Sequence, residues 1–195
     1  MVALDAIART LAQAFLHYPC MKYAFDGMTE AERLEKLTIL ERTVAVAALN
    51  FGGIVETKDG NGALLWLAGK NFPLSLEQSE QSGITELPAL LGMTVIQRFA
   101  SHTREGNNYV VQHAGKTMGW IWVLGVAPES QGKGHGRYLV EKAVADMRAQ
   151  GMTEFWLVTE SEVNVIIYKK LGFQVMHEHV LFSSGIRKWT MKRQG

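Results

Sequence analysis

Glycines alternate with polar residues in one short stretch of the chain, Gln131-Gly132-Lys133-Gly134-His135-Gly136. The apolar run Trp120 to Ala127 precedes it, and apolar residues follow it at helical spacing. Glycines between a strand and a helix let the backbone approach a ligand closely. The first amides of the helix then face that ligand at the positive end of the helix dipole. The stretch therefore predicts an anion site, with a phosphate or pyrophosphate as the usual ligand.

Two common phosphate motifs do not fit this stretch. A dinucleotide fingerprint requires glycine at the sixth place counted from Gly132, and Arg137 stands there. A P-loop requires Gly-Lys-Ser/Thr after four spacer residues, and that triplet does not occur here. Two interpretations remain from the glycines alone: a phosphate-binding loop of another kind, or a glycine-rich turn without a ligand.

A second group of residues lies on a predicted short helix whose two ends are marked. Ser161 is a suitable N-cap, and Gly172 stands where a left-handed residue would end the helix. Asn164 and Tyr168 are four residues apart, so they share one face of that helix. An amide and a phenol on that face could meet a ligand. The alternative is an Asn near the cap and a Tyr whose hydroxyl is solvated.

Composition limits the function classes. The chain has 195 residues, 47% of them apolar, and a formal charge of +1, so it shows no basic footprint for nucleic acid. The single Cys20 excludes an intramolecular disulfide framework. No signal peptide is evident at the N-terminus, and no apolar run approaches the ~18 residues of a membrane span. We expect one domain, 1–195, in the cytoplasm, without a membrane partner. A homodimer is left open.

The hydrophobic pattern predicts an α+β fold with a mixed sheet. The capping box of Thr29 and Glu32 opens one helix, Pro19 ends the helix before it, and Gly92 weakens a later one. Helices are predicted over 3–18, 30–50, 87–104, 134–150 and 162–171, and strands over 51–57, 63–68, 109–112, 118–127, 154–160, 173–182 and 187–192. The stretch 71–83 is predicted as a loop and 105–108 as a turn.

The two motifs together resemble the GCN5-related N-acetyltransferase (GNAT) family. The residues that carry the resemblance are Gln-x-x-Gly-x-Gly over 131–136, Asn164 with Tyr168, and Leu171-Gly172-Phe173. Stretches 11–19 and 185–193, with Trp66, resemble the puromycin N-acetyltransferase branch. The resemblance implies a mixed central sheet with splayed parallel strands and flanking helices. Because the chain is already predicted helical from Ala3, the family's first edge strand is expected to be missing.

The resemblance also implies a donor, acetyl-CoA, and the residues that bind it. Amides of the loop would hold its diphosphate, Asn164 would bind the pantetheine arm, and Tyr168 would protonate the departing thiolate. A bulge is implied near Gly125, which could instead mark close approach by another backbone. The implied binding residues are Leu124, Gly125, Val126, Gln131, Gly132, Lys133, Gly134, His135, Gly136, Arg137, Asn164 and Tyr168. No metal is implied.

The proton acceptor for the incoming amine is less well marked. Relatives of the puromycin branch have Glu where this chain has Val158 and Pro where it has Ile166. Because an amine must lose a proton to attack a thioester, a carboxylate or His is expected nearby. The candidates are Glu160, Glu162, His113 and Glu56, and we select Glu160 as the second catalytic residue, beside Tyr168.

Two further residue groups allow more than one interpretation. His177 and His179 share a strand face, but no third metal ligand is evident, which favours paired surface histidines. Four tryptophans could line an aromatic acceptor pocket, although most are expected in the core: Trp66, Trp120, Trp122 and Trp156.

The sequence thus predicts direct acetyl transfer to the primary amine of a small molecule. Because the lone Cys20 lies far from the motifs in sequence, no acyl-enzyme is expected. Two alternatives stay open: a protein or peptide acceptor, and a non-catalytic acyl-CoA sensor of the same fold.

Overall fold

The computed structural model describes residues 3–195. The helices are α1 (Leu4–Phe15), α2 (Pro19–Ala24), α3 (Glu30–Phe51), α4 (Leu76–Gln81), α5 (Leu87–Leu91), α6 (Met93–His113), α7 (His135–Ala149) and α8 (Glu162–Lys170). The strands are β1 (Gly52–Glu56), β2 (Gly62–Ala68), β3 (Met118–Val126), β4 (Glu154–Thr159), β5 (Gln174–Val180) and β6 (Arg187–Gln194). Within this part of the chain, no helix is long and apolar enough to cross a membrane.

The six strands form one mixed sheet in the order β1-β2-β3-β4-β6-β5. Among the strands within residues 3–195, only β3 and β4 pair in parallel, because α7 connects them as a crossover. The α+β class predicted from the sequence is therefore confirmed. The first described element is α1, so no strand precedes it within residues 3–195, as expected.

Alternation along β2 shows that the sheet buries both of its faces. Leu64 and Trp66 pack with α7 and α8, whereas Ala63 and Leu65 pack with α1, α3 and α5. The core thus has two layers, one on each side of the sheet. We call them the α7–α8 face and the α3–α6 face.

The parallel strands pair over three residues only. Their register runs from Met118 opposite Glu154 to Trp120 opposite Trp156, and no pair follows. Beyond Trp120, β3 stays bonded to β2 on its other edge. The splay predicted for these strands is therefore present, and it leaves one edge of β3 without a strand partner.

The structure differs from the sequence prediction in three regions of the chain. Pro19 starts α2 rather than simply ending α1, since proline suits the first turn of a helix. The predicted loop 71–83 contains α4, which begins with a capping box of Ser75 and Gln78. The predicted turn 105–108 and strand 109–112 belong to α6, where Val110 is buried against the sheet. A short apolar run does not by itself distinguish a strand from a buried helical turn.

Candidate active site

A cavity of about 850 Å³ lies where β3 and β4 diverge. Its lining comes from both faces of the sheet. Val140, Leu157 and Tyr168 belong to the α7–α8 face, and Leu40 and Val44 belong to the α3–α6 face. The cavity therefore joins the two faces through the slot between the splayed strands.

The glycine loop borders this cavity at the start of α7. Gly132 and Gly134 have φ values of +77° and +87°, a conformation that favours glycine. Within residues 3–195, no amide from Gly132 to Arg137 donates a hydrogen bond to the protein. A Cβ built on Gly132, Gly134 or Gly136 would meet nothing within 4 Å. The loop thus offers a row of free donors facing open space, as an anion site requires.

The unpaired edge of β3 continues the cavity, but the bulge is not at Gly125. The register shifts at Trp122, because Leu65 pairs with Val123 while the next residue of β2 pairs with Ile121. Gly125 is required for another reason, since a Cβ there would lie 2.8 Å from Leu11 Cδ2 of α1. The predicted bulge at Gly125 is therefore wrong, and the close neighbour is a side chain rather than a backbone. Leu124, Gly125 and Val126 all line the cavity.

Asn164 and Tyr168 both line the cavity from α8. The Asn164 side-chain amide donates to Thr159 Oγ1 at 3.2 Å, which fixes it beside the end of β4. Tyr168 is 7% exposed, and its burial raises the pKa of the phenol well above the ordinary value. Ser161 stands at the N-cap as predicted, but its side chain makes no capping bond. Gly172 has the expected left-handed φ of +83°.

Three donors hold the Glu160 carboxylate in the cavity. Its Oε1 lies 2.7 Å from His102 Nε2 and 3.3 Å from Lys188 Nζ, and its Oε2 accepts from the Cys20 amide at 2.9 Å. The amide of Glu160 itself donates to Tyr18 Oη at 2.9 Å. Despite burial, hydrogen bonding from His102 and the charge of Lys188 lower the pKa of Glu160 below its ordinary value. Glu160 is therefore a carboxylate at neutral pH.

Cys20 lies beside this ion-paired group although it is remote in sequence. Its Sγ, a His102 ring nitrogen and a Glu160 oxygen all lie within 4.8 Å of one another. Burial, with the Glu160 charge as the next cause, raises the pKa of the thiol well above its ordinary value. Cys20 is thus far from the motifs in sequence but close to Glu160 in space. A protonated thiol is nevertheless a weak nucleophile.

The other predicted candidates lie elsewhere. Glu162, His113 and Glu56 do not line the cavity, and His113 Nδ1 is 2.8 Å from its own helix at Tyr109 O. The rings of His177 and Tyr109 stack on the surface of β5. Trp66, Trp120 and Trp156 are buried core residues, and both Trp120 and Trp122 also contact the cavity.

Sequence reasoning missed His102, Lys188 and Tyr18. His102 and Lys188 are completely or almost completely buried, at 0% and 3% exposure, and they belong to α6 and β6. Neither residue belongs to a motif, so no spacing marks it as part of a site. Both contact the Glu160 carboxylate, and His102 Nδ1 also lies 2.9 Å from Ser184 Oγ, so these polar partners account for their burial.

The sequence pattern of the Acetyltransferase (GNAT) family matches residues 89–173, which include α7, β4, α8 and the glycine loop. Residues 89–173 are therefore similar to the GNAT family. The assignment of the chain to the puromycin branch stays a prediction.

Curated relatives of this chain include mycothiol acetyltransferases. The one from Saccharomonospora viridis is 30% identical over 73 residues, which are 36% of this chain and 24% of the relative. The one from Streptosporangium roseum is 40% identical over 63 residues, which are 31% of this chain and 19% of the relative. The chain thus spans about a quarter or less of these relatives' length.

Solved structures with the same fold cover nearly the whole chain. Arylalkylamine N-acetyltransferase 2 from Aedes aegypti superposes with a TM-score of 0.65 at 16% identity, over 98% of this chain and 94% of that one. A polyamine N-acetyltransferase from Drosophila melanogaster superposes with a TM-score of 0.64 at 16% identity, over 100% of this chain and 98% of that one. These likenesses establish the GNAT fold.

Proposed function

We propose that this protein transfers the acetyl group of acetyl-CoA to the primary amine of a small molecule. One observation carries the proposal: the loop that presents the free amides from Gly132 to Arg137 and the buried Tyr168 border a single cavity along the unpaired edge of β3. A diphosphate fits the amides, and an extended arm fits the slot. The sensor alternative needs only the binding half of this arrangement and leaves Tyr168 without a role.

The fit to coenzyme A rests on the donor set of the loop. Six consecutive amides, Gly132 to Arg137, have no acceptor in the described protein. The last of them open α7, whose 15 residues add the positive end of a helix dipole. Leu124, Gly125 and Val126 would bind the arm through main-chain groups, and Asn164 would bind it from α8.

We assign Tyr168 the role of general acid. The amine nitrogen attacks the thioester carbon, a C–N bond forms as the C–S bond breaks, and the sulfur leaves as a thiolate. A thiol has a pKa of ~8.5, so a nearby phenol can supply the proton that it needs. Because burial raises the pKa of Tyr168, the phenol keeps its proton until the thiolate forms.

We assign Glu160 the role of receiving the proton of the amine. Alternation along β4 places Glu160 on the same side of the sheet as Trp156 and Val158, which pack on the α3–α6 face. Tyr168 packs on the α7–α8 face. Acid and base would therefore flank the slot from opposite faces. Because Lys188 and His102 keep Glu160 ionised, its carboxylate stabilises the charge that develops on the nitrogen and passes the proton to solvent.

Two observations support a small acceptor. The cavity volume of about 850 Å³ lies in the range of small-molecule sites. Structural neighbours include enzymes named for arylalkylamines and polyamines, although their low identity makes this an analogy of fold.

A thiol-release assay with acetyl-CoA tests the function. The panel should contain alkylamines, arylalkylamines, diamines and peptides with free N-termini or lysines. We expect release with small amines and little with peptides. Release with peptides alone would support the protein-acceptor alternative. Tight coenzyme A binding without release for any amine would support the sensor.

A further inference from the structure

Two carboxylates line the cavity, and they differ in their partners. Glu160 is paired with Lys188 and His102, as described above. Glu41, on α3, is 2% exposed, and its Oε2 has no hydrogen-bond partner. No Lys, Arg or His of residues 3–195 forms an ion pair with it. Glu41 is therefore a buried acid that the protein itself does not satisfy.

Such a group costs stability. A buried carboxyl without a partner loses its hydration and gains nothing in return. Burial alone raises the pKa of Glu41 to about 8. Its neighbours along α3, Leu37, Leu40, Val44 and Ala45, are all buried apolar residues. An apolar residue at 41 would continue that pattern, so the packing of α3 does not explain the acid.

Glu41 lies on the acceptor side of the slot. Its helix packs on the α3–α6 face, opposite the face that holds Tyr168. The Glu41 charge acts on Cys20, whose amide binds Glu160. Glu41 and Glu160 thus both lie near Cys20. The lining around it is apolar and aromatic, with Leu40, Val44 and Trp122.

We propose that Glu41 binds a second positive group of the acceptor, so that the acceptor is a diamine or a similar dication with an apolar spacer. The proposal rests on the proposed function. A cation supplies the partner that the carboxylate lacks, and the apolar lining suits the methylene groups between the two nitrogens. The reacting nitrogen must lie at the slot and must be neutral to attack. The positive charge that pairs with Glu41 therefore belongs to the nitrogen at the other end of the acceptor.

The experiment compares matched acceptors and matched variants. The acceptors are 1,4-diaminobutane and 1,5-diaminopentane, each against the monoamine of equal length, butylamine and pentylamine. The variants are Glu41→Gln and Glu35→Gln, because Glu35 lies on the same helix but is exposed. The primary readout is the ratio of kcat/KM for the diamine to that for the monoamine. Calorimetry gives the Kd of 1,4-diaminobutane with coenzyme A present.

In the wild-type protein we expect the ratio to favour the diamine. Glu41→Gln should lower the ratio by about 10- to 100-fold, the effect of one hydrogen bond to a charged group, and Glu35→Gln should leave it unchanged. A wild-type ratio near one, or a ratio that Glu41→Gln does not change, overturns the proposal while thiol release still supports the proposed function.

Failure of the proposed function gives a different result. If no amine releases thiol, the calorimetric arm still tests Glu41. Weaker diamine binding by Glu41→Gln than by the wild type then supports the site, and equal binding by the two overturns it.

Discussion

Tyr168 and Glu160 have surroundings that shift their pKa values in opposite directions. Burial raises the pKa of the Tyr168 phenol, and no ion pair offsets it. Glu160 is also buried, but His102 and Lys188 lower the pKa of its carboxyl. At neutral pH one group therefore carries a proton and the other does not. This is the division of roles that an acid and a base on either side of a thioester need.

Replacing Tyr168 with Phe tests the acid role. We expect kcat to fall by about 100-fold or more, since general acid catalysis contributes roughly that much, while the Kd of coenzyme A stays the same. Steady-state kinetics and calorimetry measure the two quantities. Tyr138→Phe is the control, because Tyr138 lies on α7 at 45% exposure. Unchanged kcat would remove Tyr168 from the mechanism.

At the scale of elements, the start of α7 leaves open space beside its backbone. Gly136 is helical, so a side chain there does not strain the backbone, and a Cβ meets nothing within 4 Å. The fold therefore tolerates a substitution here, whereas the proposed binding of coenzyme A should not.

Gly136→Val should weaken the binding of coenzyme A by about tenfold or more, a loss of about 1.4 kcal/mol, because the added methyls enter the ligand's space. The unfolding midpoint should change little. Calorimetry and thermal unfolding measure the two effects. Ala145→Val, at an exposed position of the same helix, is the matched control. Equal coenzyme A affinity in both variants would show that the loop does not hold the donor.

The contact between α6 and β6 positions Lys188, the charge partner of Glu160. A Cβ on Gly106 would lie 2.6 Å from Lys188 Nζ, so this glycine leaves room for the buried ammonium. The helix and the strand thus cooperate to bring Lys188 to Glu160, at 3.3 Å.

Gly106→Ala should therefore displace Lys188 and destabilise the protein by about 1 to 3 kcal/mol, the usual cost of overpacking. Turnover should also fall, since Glu160 loses part of its charge compensation. Denaturant unfolding and the thiol-release assay provide the measurements. Gly115→Ala serves as the control, because its Cβ would have no neighbour closer than 3.7 Å. If Gly106→Ala is as stable as the control, Lys188 does not need this space.

For the whole molecule, Glu41 links stability to pH. Its pKa is about 8 in the fold against an ordinary 4.5, so the folded protein keeps a proton that the unfolded chain releases. Its contribution is present below about pH 4.5 and is lost as pH rises towards 8. Relative to the wild type, Glu41→Gln should gain stability over that range, by at most about 4 kcal/mol. Denaturant unfolding at pH 5, 6, 7 and 8 measures the difference, and a constant difference would contradict the buried titration.

The sequence predicted the parts of this fold that local patterns encode. The glycine loop, the Asn164–Tyr168 face and the capping box at Thr29 depend on neighbours within a few residues. The position of Cys20 beside Glu160 depends on how α2 packs 140 residues away in sequence. The helical state of residues 109–112 likewise depends on burial of Val110 against the sheet. Tertiary contact decided both features, and one sequence does not display it.

Under the proposed function, the slot between β3 and β4 separates two tasks in space. The glycine loop would bind the donor on one side of the sheet, and α2, α3 and α6 would line the acceptor region on the other. New side chains on those three helices can therefore change which acceptor is admitted, and the sheet shields the loop from the change. A chimera that exchanges only this wall should alter acceptor choice and inherit the original affinity for the donor. Substitutions can accumulate at the acceptor end of such a cavity while the donor end stays unchanged.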